Sequence, residues 1–222
     1  MAAYMWDTKV YPAEMFVESC GAILRVGSGS VIGVVRILGF GPHHIPEKEK
    51  KVCLLHYMAK DQWLLPKGRR NCCETRQAAA VREVREESGY ACRLRPVTMP
   101  TRAPSVLEAA DVKDFARTYP GLTEPFMLEV RDLGQGEGEG VKLVWWFVAE
   151  VLRPGSVGGG AGDGDGDGDE EEFLGHGEPE VHFEPAFFDC DAALKKLTFQ
   201  KDREVLRRAM DLVESSKWDW SD

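Results

Sequence analysis

The segment VKLVWWFVAEV, residues 141–151, is apolar at both of its alternating sets of positions. In an extended strand, Leu143, Trp145 and Phe147 would lie on one side, and Val144, Trp146 and Val148 on the other. A strand that is apolar on both sides is typical of a sheet whose two faces are both covered. The pattern therefore predicts a central strand with helices packed on each side of the sheet.

The rest of the hydrophobic pattern predicts shorter strands, separated by turns rich in glycine and proline, and four helices. The predicted strands are residues 16–26, 31–37, 51–58, 63–65 and a strand at Phe187–Phe188. The predicted helices are residues 74–88, 106–118, 190–196 and 200–215. Together these elements predict an α/β fold, in which a sheet is sandwiched between helices.

The sequence predicts one catalytic domain at residues 15–215, with tails at 1–14 and 216–222. Residues 154–179 contain the run GGGAGDGDGDGDEEE, which has too few apolar residues to form a core. We expect this segment to be a disordered insertion between two strands. The segment at 99–124 is predicted to be a second insertion, which contains the helix at 106–118.

The residues that indicate a catalytic or binding site are concentrated in positions 68–90, GRRNCCETRQAAAVREVREESGY. On a helix, Glu83, Glu86 and Glu87 stand at positions i, i+3 and i+4, so their three carboxylates share one face. Like charges at this spacing repel each other, and a bound hard cation would reverse that cost. Carboxylate oxygens are ligands that Mg²⁺ and Mn²⁺ prefer. The spacing therefore predicts a divalent-metal site that could activate water and neutralise a diphosphate.

The residues around this helix fit the same purpose. Lys67 and Gly68 are expected to open a loop whose backbone approaches phosphate closely, because Gly68 has no side chain. Arg82 is expected to hold the carboxylates in place, with a forked ion pair to Glu74. Gly89 is expected to end the helix.

The full spacing is glycine, five residues, glutamate, seven residues, Arg-Glu, two residues, Glu-Glu, one residue and glycine. It resembles the Nudix box, and every position is filled. The segments FVESCGAIL, VCLLHY, WLLPKGRR and KLVWWFVAEV are similar to Nudix enzymes that act on diphosphoinositol and diadenosine polyphosphates, and to uncharacterised fungal Nudix proteins. The resemblance implies a mixed sheet between helices and a Mg²⁺- or Mn²⁺-dependent pyrophosphohydrolase.

The resemblance also implies roles for individual residues. Glu83, Glu86 and Glu87 would bind metal, together with the backbone carbonyl of Lys67 and a downstream carboxylate, for which Glu180 is the candidate. Glu86, Glu83 and Arg82 would form the catalytic group, in which Glu86 is the usual base, although the division of labour among the glutamates is open. The substrate would contact the residues at the box entrance, Lys67, Gly68, Arg69 and Arg70.

The formal net charge of −9 hides a basic region. Seven of the negative charges lie in the acidic insertion, and without them the chain carries about −2. Between Lys67 and Arg102 there are nine basic residues and only four glutamates. This balance favours a highly anionic, phosphorylated small molecule as substrate. Lys67, Arg69 and Arg70 favour an inositol pyrophosphate over a sugar nucleotide, and no nucleic-acid surface is indicated.

Two alternatives remain open at this point. One is a hydrolase of the RNA cap or of nucleoside diphosphate derivatives, and the other is a catalytically inert module that binds anions. No apolar run of 18 residues and no secretory signal are visible, so we expect an intracellular protein, cytoplasmic or nuclear. The six cysteines have no zinc-type spacing and are expected to be free thiols.

Overall fold

The computed structural model describes residues 8–26, 51–109, 111–134, 139–152 and 183–216. Its larger sheet has eight strands, in the order β10-β2-β1-β9-β5, with β3 paired to β2, β4 to β1 and β8 to β9. A separate hairpin is formed by β6 and β7. The strands are β1 (Phe16–Val26), β2 (Lys51–Tyr57), β3 (Gln62–Leu64), β4 (Lys67–Arg69), β5 (Cys92–Leu94), β6 (Val97–Thr101), β7 (Arg117–Leu122), β8 (Met127–Asp132), β9 (Val141–Val151) and β10 (Phe183–Asp189).

The central pair of strands, β1 and β9, runs parallel over ten residue pairs, from Phe16 opposite Val141 to Arg25 opposite Glu150. The other pairs in this sheet are antiparallel, so the sheet is mixed. Parallel neighbours require a long crossover connection, and here the chain between β1 and β9 contains α1.

Three α-helices cover the sheet: α1 (Arg76–Ser88), α2 (Cys190–Lys196) and α3 (Gln200–Ser215). The helix α1 begins after Thr75, whose side-chain oxygen accepts a hydrogen bond from the backbone N–H of Ala78 at 3.1 Å. It ends at Gly89, whose φ of 74° is the left-handed conformation that favours glycine. The predicted end of the box helix is therefore confirmed.

Two hydrophobic clusters lie on opposite faces of the sheet. On one face, Ala79, Ala80 and Val84 of α1 pack with Phe147 of β9. On the other face, Leu206 and its neighbours on α3 pack with residues of β9 that include Val144, Trp146 and Val148. The prediction of a central strand covered on both sides is confirmed, as is the α/β class of the fold.

The helices predicted at 190–196 and 200–215 are confirmed, as are strands β1 and β9 over their full predicted lengths. The helix predicted at 106–118 is wrong, because the described residues there form turns and bends before β7 begins at Arg117. Val106 and Leu107, two apolar residues of this segment, are 99% and 93% exposed, so no buried contacts stabilise a helix there. The loop predicted at Lys67–Gly68 is also wrong, since these residues form β4.

The predicted strand at 31–37 and the predicted disordered insertion at 154–179 lie outside the described residues. Within the part of the chain that the structure describes, no helix is long and apolar enough to cross a membrane.

Candidate active site

The helix α1 approaches the sheet at Gly68, in the middle of β4. Gly68 lies opposite Cys20 of β1, so it faces the same side of the sheet as α1. A Cβ atom on residue 68 would overlap the carboxylate of Glu83. The glycine at this position therefore lets the backbone of β4 touch the Glu83 side chain directly.

Arg82 is the centre of the hydrogen-bond network in the box. Its Nε and Nη2 atoms donate to the two carboxylate oxygens of Glu74, at 2.8 and 2.9 Å. Its Nη1 atom donates to Glu83 at 2.8 Å and to Glu86 at 2.9 Å, and its Nη2 atom also donates to the backbone carbonyl of Arg69 at 2.9 Å. The predicted forked ion pair between Arg82 and Glu74 is confirmed.

Glu74 is held from several sides, one residue before the Thr75 cap. Hydrogen bonds from Arg82 lower the pKa of Glu74, and the backbone N–H of Asn71 lowers it further. The Nη1 atom of Arg70 donates to the backbone carbonyl of Glu74 at 2.9 Å. Glu74 therefore remains charged and fixes Arg82, which in turn orients Glu83 and Glu86.

Glu87 and Glu83 are carboxylates in a partly desolvated position. Burial raises the pKa of Glu87 to about 7, although the positive charge of Lys67 and a hydrogen bond from the Lys67 backbone N–H at 2.7 Å oppose this shift. Burial also raises the pKa of Glu83, against the hydrogen bond from Arg82. A cation bound beside these side chains would favour their charged forms.

The donor chemistry of this site fits a hard divalent cation. Glu83 is a buried oxygen donor, Glu87 is a partly buried one, and the side chain of Glu86 is 55% exposed beside them. No three potential metal-binding side chains converge on one point within the described ranges, because Arg82 holds Glu83 and Glu86 while Glu87 turns to β4. The fourth carboxylate candidate, Glu180, lies outside the described residues.

The three basic residues predicted at the box entrance do not share one surface. Arg69 and Lys67 lie opposite Ser19 and Gly21 of β1, so their side chains point to the face away from α1. Arg70 is on the α1 side, where its Nε atom donates to Glu18 at 2.8 Å. Successive side chains along β4 and just after it point to opposite faces of the sheet. Arg69 and Arg70 are therefore on different faces, although they are neighbours in the sequence.

Two basic residues from distant strands join Lys67 and Arg69. Lys142 of β9 and Arg131 of β8 are directly paired across the sheet, and they lie on the same face as Lys67 and Arg69. Burial lowers the pKa of Lys142, and the positive charges of Lys67, Arg131 and Arg69 lower it further, whereas Glu129 opposes them. We call Lys67, Arg69, Arg131 and Lys142 the basic face.

Arg131 and Lys142 are not among the candidate site residues predicted from the sequence. A signal for Lys142 was present, since it is the only charged residue before Glu150 in a strand that is otherwise apolar. No comparable signal marked Arg131, which joins the basic face only because β8 pairs with β9.

A family model described as the NUDIX domain matches residues 44–155, which is half of the chain. No curated protein matches the sequence. Several solved structures are similar over most of this chain, although each shares too little sequence and too low a TM-score to indicate a substrate. The C. elegans Ap4A hydrolase is 13% identical, with a TM-score of 0.47, and the match covers 90% of this chain and 99% of that one.

A second similar structure is a Nudix hydrolase from M. smegmatis, RenU, with 14% identity, a TM-score of 0.45, and coverage of 90% of this chain and 87% of that one. A third is a Nudix hydrolase from Nitrosomonas europaea, with 11% identity, a TM-score of 0.42, and coverage of 93% and 99%. The match of the family model to half of the chain, together with the complete box, decides between an enzyme and an inert module. The chain belongs to the Nudix family and is a hydrolase of the pyrophosphohydrolase type.

Proposed function

We propose that this protein uses Mg²⁺ or Mn²⁺ to cleave a phosphoanhydride bond in a highly anionic small molecule, of the diphosphoinositol polyphosphate or diadenosine polyphosphate class. The observation that carries this proposal is the basic face. It gathers four cationic side chains from three strands on the face of the sheet away from α1, and two of them, Lys67 and Arg69, flank Gly68, against which the Glu83 carboxylate lies.

The charge of the basic face favours several phosphates over one. Glu129 is the acidic neighbour on the same face, and it is already paired with Arg131 and with Lys201 at 3.1 Å. Lys142 is half-buried, so its charge acts through a medium of lower dielectric than water. A ligand with multiple phosphates would compensate the mutual repulsion among Lys67, Arg69 and Lys142.

The carboxylates have separate roles in the proposed reaction. Glu83, Glu86 and Glu87 would hold the cation together with the backbone carbonyl of Lys67. When bound, the cation would lower the pKa of the attacking water and neutralise charge that builds on the diphosphate. Glu86, the exposed member of the three, would take the proton from that water.

Arg82 would keep Glu83 and Glu86 oriented through its hydrogen bonds to both. Lys67 and Arg69 would hold the phosphates that do not react, with Gly68 between them. The substrate would thereby be fixed across the edge of β4 before the water attacks.

The test is a side-by-side measurement of hydrolysis by the purified protein with Mg²⁺ and with Mn²⁺. The substrates are a diphosphoinositol polyphosphate, a diadenosine polyphosphate, ADP-ribose and capped RNA. We expect kcat/KM to be highest for one of the first two. A higher kcat/KM for capped RNA or ADP-ribose would overturn the proposed substrate class while leaving the pyrophosphohydrolase assignment intact.

A further inference from the structure

A cavity of about 680 Å³ lies on the face of the sheet opposite the basic face. It opens beyond the first residue of α1, Arg76, where the helix no longer covers the strands. Its walls come from the segment before β1, from three strands and from the box loop. The residues that line it are Lys9, Tyr11, Phe16, Glu18, Arg70, Arg76, Val130, Asp132, Val141 and Leu143.

The floor of this cavity is an apolar patch on three adjacent strands. Phe16 of β1 lies beside Val141 of β9, and Val130 of β8 lies opposite Leu143 of β9. Phe16 and Val130 are 39% and 60% exposed. Strand β8 thus turns Val130 toward solvent together with Asp132, while Glu129 and Arg131, on its other face, are less exposed. This inversion is unusual for a strand that covers a sheet edge, and it provides an apolar surface of the kind that ligand pockets have.

One rim of the cavity is built around Glu18, whose side chain is only 8% exposed. Its Oε2 atom accepts a hydrogen bond from Arg70 Nε at 2.8 Å. Its Oε1 atom accepts from Arg76 at 2.8 and 2.6 Å and from the Trp145 indole N–H at 2.8 Å. The Arg76 guanidinium also stacks on the Trp145 ring at 4.1 Å, so both arginines are held in fixed positions at the rim.

The charges in the lining select the class of ligand. The three cationic side chains, Lys9, Arg70 and Arg76, exceed the two carboxylates, Glu18 and Asp132, by one charge. The Nη1 atom of Arg76 makes no hydrogen bond to any residue that the structure describes, and it remains available as a donor. The volume is in the range of small-molecule sites, about 300–1,000 Å³.

We propose that this cavity is a second ligand site, which binds a small aromatic molecule that carries one anionic group. The aromatic ring lies on Phe16, Val130 and Leu143, and the anionic group meets Arg76 and Lys9. This site is separate from the basic face, because strand alternation places the two on opposite sides of the sheet. The net charge of +1 in the cavity lining suits a monoanion, whereas the four cations of the basic face suit a polyanion.

Isothermal titration calorimetry tests the proposal on the full chain carrying Glu86→Gln, without divalent ions. The probes, used at about pH 5 so that a phosphate monoester carries one negative charge, are AMP, which combines an aromatic base with a phosphate, and 1-naphthoate, an aromatic carboxylate, with inorganic phosphate as an anion that lacks a ring. We expect one saturable site for at least one aromatic probe and none for inorganic phosphate. Binding of AMP alone would identify a nucleotide phosphate as the ligand, and binding of both would support any aromatic monoanion.

Substitutions locate the site. Val130→Asp removes part of the apolar floor and adds a negative charge, so the aromatic probe should bind at least about tenfold more weakly. Val106→Asp is the matched control, since Val106 is fully exposed in the β6–β7 connection and does not line the cavity; affinity should stay unchanged. Asp132→Asn removes a negative charge from the cavity lining. It should therefore increase the affinity for the aromatic probe about threefold.

Three results would overturn the proposal: no saturable binding of either aromatic probe, equal affinity in Val130→Asp and the parent chain, or loss of binding in Lys142→Glu on the basic face. Circular dichroism checks that each variant folds. If Val130→Asp does not fold, the sign of the Asp132→Asn effect decides, and an unchanged affinity contradicts the second site.

Discussion

The two faces of the sheet near the start of β1 and β9 carry opposite kinds of surface. On the face away from α1, Lys67, Arg69, Arg131 and Lys142 form a half-buried group of cations. On the face that α1 leaves open, Phe16, Val130, Val141 and Leu143 form an apolar floor, with two arginines already paired to Glu18. Strands β8 and β9 contribute residues to both surfaces.

This difference shows that a count of charges along the chain does not describe a binding surface. Arg69 and Arg70 are neighbours in the sequence, yet one contributes to the basic face and the other to the rim around Glu18. The basic face is expected to bind the phosphates of the substrate, while the opposite face has almost no net charge to offer a polyanion.

The largest effect should come from the carboxylates of α1, which belong to neither surface and are proposed to carry out the reaction itself. We expect Glu86→Gln or Glu87→Gln to lower kcat by at least about 100-fold, because each removes a charged oxygen donor from the proposed cation site. The measurement is phosphate release under saturating substrate and Mg²⁺. The matched control is Glu124→Gln, an exposed glutamate before β8, which should retain activity. Full activity in both box variants would contradict the proposed roles.

Gly68→Ala should also reduce activity strongly, because the new Cβ atom would overlap the Glu83 carboxylate. We expect kcat to fall by about ten- to 100-fold and the free energy of unfolding to fall by about 1–3 kcal/mol, as for other overpacked positions. Steady-state kinetics and urea denaturation measure the two effects. Gly121→Ala is the control, since no atom lies near the position of the added Cβ. The φ of 71° is then the only source of strain for an alanine at this position. An active Gly68→Ala protein would show that α1 and β4 can move apart.

The adjacent arginines provide a direct comparison of the two faces. Arg69→Ala should raise KM for a polyphosphate substrate by about tenfold, because one phosphate loses a cationic partner. Arg70→Ala should raise KM much less, since its guanidinium is on the other side of the sheet and paired with Glu18. The effect of Arg69→Ala should shrink as salt is added. Equal increases in KM for the two variants would contradict the separation of the faces.

The smallest effect is expected at Thr75, the residue that caps the start of α1. The position of this cap also sets how much of the sheet α1 covers. Thr75→Ala removes the side-chain oxygen that caps the Ala78 N–H, and it should lower the free energy of unfolding by about 1 kcal/mol. Chemical denaturation measures this loss. Thr75→Ser, which keeps the oxygen, should recover most of it, and an unchanged stability in Thr75→Ala would argue against the cap.

Much of the fold could be predicted from local patterns. The strand at 141–151, the helices at 190–196 and 200–215, and the C-terminal end of the box helix at Gly89 follow from periodicity and from glycine at a helix end. The helix predicted at 106–118 does not form. Its apolar residues, such as Val106 and Leu107, have no neighbouring surface to pack against and remain exposed. Local propensity predicts an element only where tertiary packing supports it.

The candidate site was predicted only in its local part. The fork from Arg82 to Glu74 and the shared face of Glu83, Glu86 and Glu87 depend on spacing within a single helix and its entrance. Arg131, Lys142 and Glu18 could not be placed in the same way. Their positions depend on which strands pair and in which register, and a shift of one residue would move each side chain to the opposite face.

The sequence by itself determined that this chain is an α/β protein with a Nudix box, three carboxylates on one helical face and an arginine that holds two of them. These properties arise from residues within about one helix of each other, where the backbone period fixes the geometry. Only the tertiary structure decided that Lys67 and Arg69 join Arg131 and Lys142, that Arg70 turns to Glu18, and that an apolar cavity opens behind them. Those arrangements depend on contacts between strands distant in sequence, which the pairing of β1, β4, β8 and β9 brings together.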